Sequence, residues 1–84
     1  MKLIITRRAE KDLASIDKPT ANRIRAALDR MVINPMAVDL KKLEGMPDIW
    51  RLRVGRWRVI FRITGEEVIA YALRIKQRRE VYRT

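Results

Sequence analysis

Apolar and polar residues alternate with a period of two from Ile49 to Ile63, IWRLRVGRWRVIFRI, which predicts two short strands joined by a tight turn. Gly55-Arg56 suits a two-residue hairpin loop, because glycine reaches the positive φ needed at the first central position of a type I′ or II′ turn. That turn sets the register: Val54 opposite Trp57, Arg53 opposite Arg58, Leu52 opposite Val59. One face then collects Trp50, Leu52, Val54, Trp57, Val59, Phe61 and Ile63, a ready core surface. The other gathers Arg51, Arg53 and Arg58 around Ile60, with Arg62 further along. Like charges directly across a strand pair are destabilising by up to about 1 kcal/mol. Either these arginines splay apart on a solvated face, or the face receives a polyanion.

The spacing changes toward the N-terminus. Lys2 to Ile5 is a short apolar run that reads as a strand. Thr6 is a good N-cap for a helix from Arg7 to about Ile16, with Ala9, Leu13 and Ile16 on one side. Asp17 caps the next helix, with Pro19 in its first turn, and Asn34-Pro35 ends it near Val32. Its apolar stripe is Ile24, Ala27, Leu28 and Met31, so the two helices form a hairpin that needs a sheet to lie on. Pro35 to Asp48 reads as an ordered loop, pinned by Leu40 and Leu43 and leaving Lys41 and Lys42 in solvent. Thr64-Gly65-Glu66-Glu67 is a turn, and Val68 to Ile75 a further strand. Its parity sets Val68, Ala70 and Ala72 on the helix side and Ile69, Tyr71 and Leu73 on the arginine side. Lys76 to Thr84 is a basic tail or a single helical turn. The order β-α-α-β-β-β predicts an α+β fold: an N-terminal strand and a two-helix hairpin packed on one face of a small antiparallel sheet. The second sheet face is left open and basic.

Composition narrows the function. Eighty-four residues make one domain with one modest core, and a 48% hydrophobic content is that of a folded protein. The net charge of +10 points to nucleic acid, an anionic membrane or an acidic protein as partner. From Met46 onward nine of ten basic residues are arginine, whose planar fork matches phosphate where lysine is a point charge. The absence of cysteine and histidine removes a disulfide framework, the usual zinc sites, a cysteine nucleophile and a histidine acid–base pair. No cofactor or metal is expected. No apolar run is long enough to span a membrane, and MKLIITRR lacks the apolar stretch of a signal peptide, so a cytoplasmic protein is expected.

Three segments carry a likeness to a known group. They are LKKLEG from Leu40 to Gly45, WRLRVGRWRVIFR from Trp50 to Arg62, and RREVYR from Arg78 to Arg83. Together they resemble toxins of the RelE/ParE superfamily, and the likeness covers essentially the whole chain. The superfamily fold is a helical hairpin on an antiparallel sheet, as the pattern predicts. RelE-type members are ribosome-dependent endoribonucleases that cut mRNA in the A site. ParE-type members instead inhibit DNA gyrase without cleaving RNA. The RelE-type active face is a cluster of basic residues on the central strands, joined by an arginine and a tyrosine near the C-terminus. That motif falls here on Arg51, Arg53, Arg58, Arg78 and Tyr82. The first two are lysines in the best-known member, so charge is kept and geometry altered; the last segment is also two residues shorter here.

The chemistry implied is attack of a ribose 2′-OH on the adjacent phosphate with expulsion of the 5′-oxygen. It needs a base, charge stabilisation for the phosphorane and support for the leaving oxygen. With histidine absent, Tyr82 is the candidate base, and neighbouring cations favour its phenolate. Arg53 and Arg58 would hold the non-bridging oxygens and Arg78 would sit by the leaving oxygen. Arg51, with Arg62, Lys41 and Lys42, would bind the RNA backbone. The resemblance further implies a separately encoded antitoxin that wraps the toxin, with the ribosome and mRNA as the other partners.

Overall fold

The central hairpin forms in the register set by its turn. Strand β3 (Ile49–Val54) pairs antiparallel with β4 (Trp57–Thr64), matching Val54 to Trp57, Arg53 to Arg58 and Leu52 to Val59. Gly55 stands at φ +59° in the connecting turn, a conformation open to glycine and strained for other residues. The computed structural model describes residues 1–65 and 69–77, residues 69–73 by their backbone alone.

Both helices begin at the caps legible in the sequence. The Thr6 hydroxyl accepts from the Ala9 N–H at 3.3 Å, opening α1 (Arg7–Ala14). The Asp17 carboxylate accepts from the Thr20 N–H at 3.0 Å and its hydroxyl at 2.7 Å, opening α2 (Lys18–Ile33). These two bonds hold the Asp17 carboxyl below its ordinary value of 3.8. Asn34 closes α2 and in turn caps a short 3₁₀ turn, Pro35–Ala37, through the Met36 N–H.

The segment read as a loop from Pro35 to Asp48 contains more structure than that. Besides the 3₁₀ turn it holds an edge strand, β2 (Leu40–Lys42), antiparallel to β3. Three residues flanked by Pro35 and Gly45 are too short to display an alternation, so the strand is specified by its partner and not by its own pattern. At the far side β5 (Ile69–Gln77) pairs antiparallel with β4 and parallel with β1 (Lys2–Ile5). The sheet order is β1-β5-β4-β3-β2. The expected α+β architecture stands, with a short strand added at one edge.

The helices cover one face of this sheet. Ala9 and Leu13 of α1, and Ile24, Ala27, Leu28 and Met31 of α2, are buried against Leu52, Val54, Val59, Phe61 and Ile75. The core row Leu40–Leu52–Val59–Ile75 crosses four strands. Ile75 belongs to it because of a bulge: Ile60 pairs with Arg74 but Phe61 with Ala72, leaving Leu73 without a partner. One unpaired residue shifts the alternation. It carries Ile75 to the helix side, and the strand runs on to Gln77, into the segment read as tail. The side-chain assignments of Ile69, Tyr71 and Leu73, and the tail beyond Gln77, lie outside the described residues. Among those residues no helix is long and apolar enough to cross a membrane.

Candidate nucleic-acid interface on the sheet

On the face away from the helices the register builds two basic rows. Lys41–Arg51–Ile60–Arg74 crosses β2, β3, β4 and β5, and Arg53–Arg58–Lys76 lies beside it across β3, β4 and β5. Lys76 is a residue that sequence reasoning did not place in the site. The bulge aligns it with Arg58, and a simple alternation along β5 carries no signal of that shift.

The face is not uniformly open. Arg53 is exposed, but Arg51 is 9% and Arg58 only 3% exposed, so the alternative of arginines splayed on a solvated face does not hold for these two. Each buried arginine has its own cause. Asp39, just before β2, accepts the Arg53 N–H through its carbonyl at 2.9 Å and places its carboxylate 3.6 Å from the Arg51 guanidinium. Arg58 folds back on the hairpin turn instead, and its Nη1 donates to the Gly55 and Trp57 carbonyls, both at 3.0 Å. This resolves the repulsion between Arg53 and Arg58: one guanidinium turns toward the tip of the hairpin and the other stays in water.

Carboxylates therefore sort the cations. Arg51 has Asp39, Arg62 has Asp48 at 3.4 Å, and Arg74 has Asp12 at 3.0 Å. Among the described residues Arg53, Arg58, Lys76 and Lys41 have none. Arg58 is the extreme case, since its Nε is buried with no hydrogen-bond partner among the described residues. A guanidinium removed from water without a counter-ion is expensive, several kcal/mol in ordinary cases, and its neighbours here are also cationic. That arrangement is unfavourable for an isolated fold and well suited to an anion.

The remaining candidates divide. Lys41 joins the basic face beside Arg51, but the register sets Lys42 beside Trp50, on the helix side of the sheet. Arg62 sits outside the two rows, exposed and held by Asp48. Arg78 and Tyr82 lie outside the described residues. Among the described residues no cluster of acidic side chains could hold a metal ion. The arrangement can bind and polarise a phosphodiester.

Two helices packed on one face of a small sheet is the RelE-like architecture of RelE/ParE-superfamily toxins. The family model for the ParE toxin of type II toxin–antitoxin systems, parDE, matches residues 3–82, and the chain belongs to that family. Toxin RelE3 of Methanocaldococcus jannaschii is 26% identical over 86 residues, covering 98% of this chain and 96% of that protein. The archaeal RelE–RelB complex from Pyrococcus horikoshii contains a chain of the same fold, with a TM-score of 0.76 and 28% identity over 92% of this chain and 93% of that one. The E. coli RelBE toxin–antitoxin complex contains another, with a TM-score of 0.73 and 20% identity over 90% and 94%.

Proposed function

We propose that this toxin is a ribosome-dependent endoribonuclease that cleaves mRNA and so stops translation. The observation that carries the reading is the buried Arg58 guanidinium, without a carboxylate among the described residues, between Arg53 and Lys76. Arg53 and Arg58 bind the non-bridging oxygens of the scissile phosphate, where negative charge grows as the phosphorane forms. The 2′-oxygen bonds to phosphorus and the bond from phosphorus to the 5′-oxygen breaks. Tyr82, as phenolate, takes the 2′-hydroxyl proton. The leaving 5′-oxygen takes a proton from water beside the Arg78 charge, because a guanidinium is a poor acid. Lys41, Arg51 and Arg62 are assigned to the RNA backbone, Lys41 and Arg51 from the sheet face itself, while Lys42, on the helix side, drops out of the site. With this weak acid–base set, the ribosome supplies an in-line substrate geometry, and positioning provides much of the acceleration.

The solved relatives named above are complexes with RelB antitoxins. A cognate antitoxin is accordingly proposed here, a small protein whose acidic or amphipathic segment wraps the basic toxin.

The family's ParE description favours a second reading, a non-enzymatic inhibitor of DNA gyrase. Primer extension on a defined mRNA in a reconstituted translation mixture separates the two. Discrete cuts that need ribosomes and vanish in Tyr82→Phe are the expected result. Intact mRNA together with inhibited gyrase supercoiling would overturn the nuclease reading.

A further inference from the structure

A second basic cluster lies around the edge of the sheet. Arg7, Arg8, Lys11, Asp12 and Arg74 line a cleft of about 530 Å³ between α1 and β5. Arg7, Arg8 and Lys11 are exposed, and among the described residues none has an ion-pair partner. Asp12, the cleft's acidic residue, is already engaged: its Oδ2 accepts from Arg74 Nε at 3.0 Å and from the Ile75 N–H at 2.8 Å. The cluster thus presents a net positive charge that no other described residue of the cleft neutralises.

Local helix physics disfavours this placement. Arg7 and Arg8 occupy the first turn of α1, where the aligned N–H dipoles oppose cations. Arg7 and Lys11 are also like charges one turn apart. An anion in the cleft relieves both penalties. Arg74 links this cleft to the sheet, because it ends the row Lys41–Arg51–Ile60–Arg74 on the basic face. With Nε tied to Asp12, its terminal nitrogens remain available among the described residues. Among the described residues no aromatic ring lines the cleft; contact with its cations is to sugar-phosphate, which carries no sequence information.

We infer that a single RNA strand leaving the basic sheet face crosses the β5 edge at Arg74 and lays its backbone in the cleft formed by Arg7, Arg8 and Lys11. This rests on the proposal that the sheet face binds RNA, and it extends that site beyond the reacting phosphate. The cleft contributes affinity for longer strands and takes no part in the chemistry.

The test uses the full chain and non-cleavable 2′-O-methyl oligoribonucleotides, a trinucleotide and a dodecamer, with fluorescence anisotropy followed from 50 to 200 mM salt. Single-strand affinity falls with a log–log slope of about 0.7 per phosphate contact. The Arg7→Ala/Arg8→Ala/Lys11→Ala variant should therefore lose about 2 from the dodecamer slope, roughly a 20-fold smaller loss of affinity across that salt range. Its trinucleotide binding should be unchanged, and Arg7→Lys/Arg8→Lys should keep the dodecamer slope. An unchanged dodecamer slope would overturn the inference. So would an equal loss for both lengths, or a loss confined to an RNA duplex. Arg53→Ala separates the inference from its premise. If it weakens both lengths while the triple variant does nothing, the sheet reading stands and the cleft falls. If it weakens neither while the triple variant lowers dodecamer binding, the cleft binds RNA by itself and the sheet reading falls.

Discussion

The rows Leu52–Val59–Ile75 and Arg53–Arg58–Lys76 are built on the same three strands, one residue apart, and face opposite ways. The first is sealed beneath two helices, with each residue 3% exposed or less. In the second, Arg58 is as deeply buried, yet its cross-strand neighbours are cations and its Nε lacks a partner among the described residues. Equal burial thus has opposite energetic meanings. Apolar burial drives folding, at about 25 cal/mol per Å². A buried charge without a counter-ion opposes it, even where, as here, backbone carbonyls take part of its hydrogen bonding. A chain that keeps both on one hairpin uses one face to hold the other in a conformation that folding alone would not select.

Substitutions on the two faces should therefore move stability in opposite directions. The largest effect is expected at Phe61, fully buried in the core. Phe61→Ala should destabilise the domain by about 3–5 kcal/mol in urea unfolding, since the helices cannot collapse fully into the space left. Arg58→Met should do the reverse. Replacing the buried charge with an apolar side chain of similar length is expected to leave stability unchanged or raise it by about 1 kcal/mol or more. The same variant should lose growth inhibition. A toxic Arg58→Met protein, or one that unfolds more readily than the parent, would contradict the assignment of that row to anion binding.

The smallest effect lies away from both faces, at the link between the helices. The Asp17 carboxyl is held below 3.8 by the Thr20 hydroxyl and N–H, so its ionised form is favoured in the folded chain. Its contribution is present above the unfolded value and is lost as pH falls through the lower, folded one. Asp17→Asn keeps a good capping side chain but cannot titrate. Thermal melts should show a shallower decline in Tm for this variant than for the parent as pH drops below 3.8. Parallel declines would mean that Thr20 does not hold the carboxylate.

Much of the fold was legible because its determinants are local. Thr6, Asp17 and Asn34 cap their own helix ends, Gly55 sets its own turn, and a two-residue loop leaves the hairpin only one register. Strand β2 was not legible, since three residues hold too little pattern and borrow their conformation from β3. The bulge at Leu73 was hidden for a related reason. It appears only when β5 is aligned against β4, and it brings Lys76 beside Arg58 and Ile75 into the core.

By itself, then, the sequence determined the α+β architecture, the hairpin register, the helix caps and a sheet face rich in arginine. These follow from side-chain periodicity and backbone preference within a few residues. Only the tertiary structure decided which arginines are paired with carboxylates. Asp39, Asp48 and Asp12 come from other segments to engage Arg51, Arg62 and Arg74, while Arg58 turns into its own hairpin and goes without a carboxylate among the described residues. Charge pairing depends on distances in space, and those distances do not exist until the chain has folded.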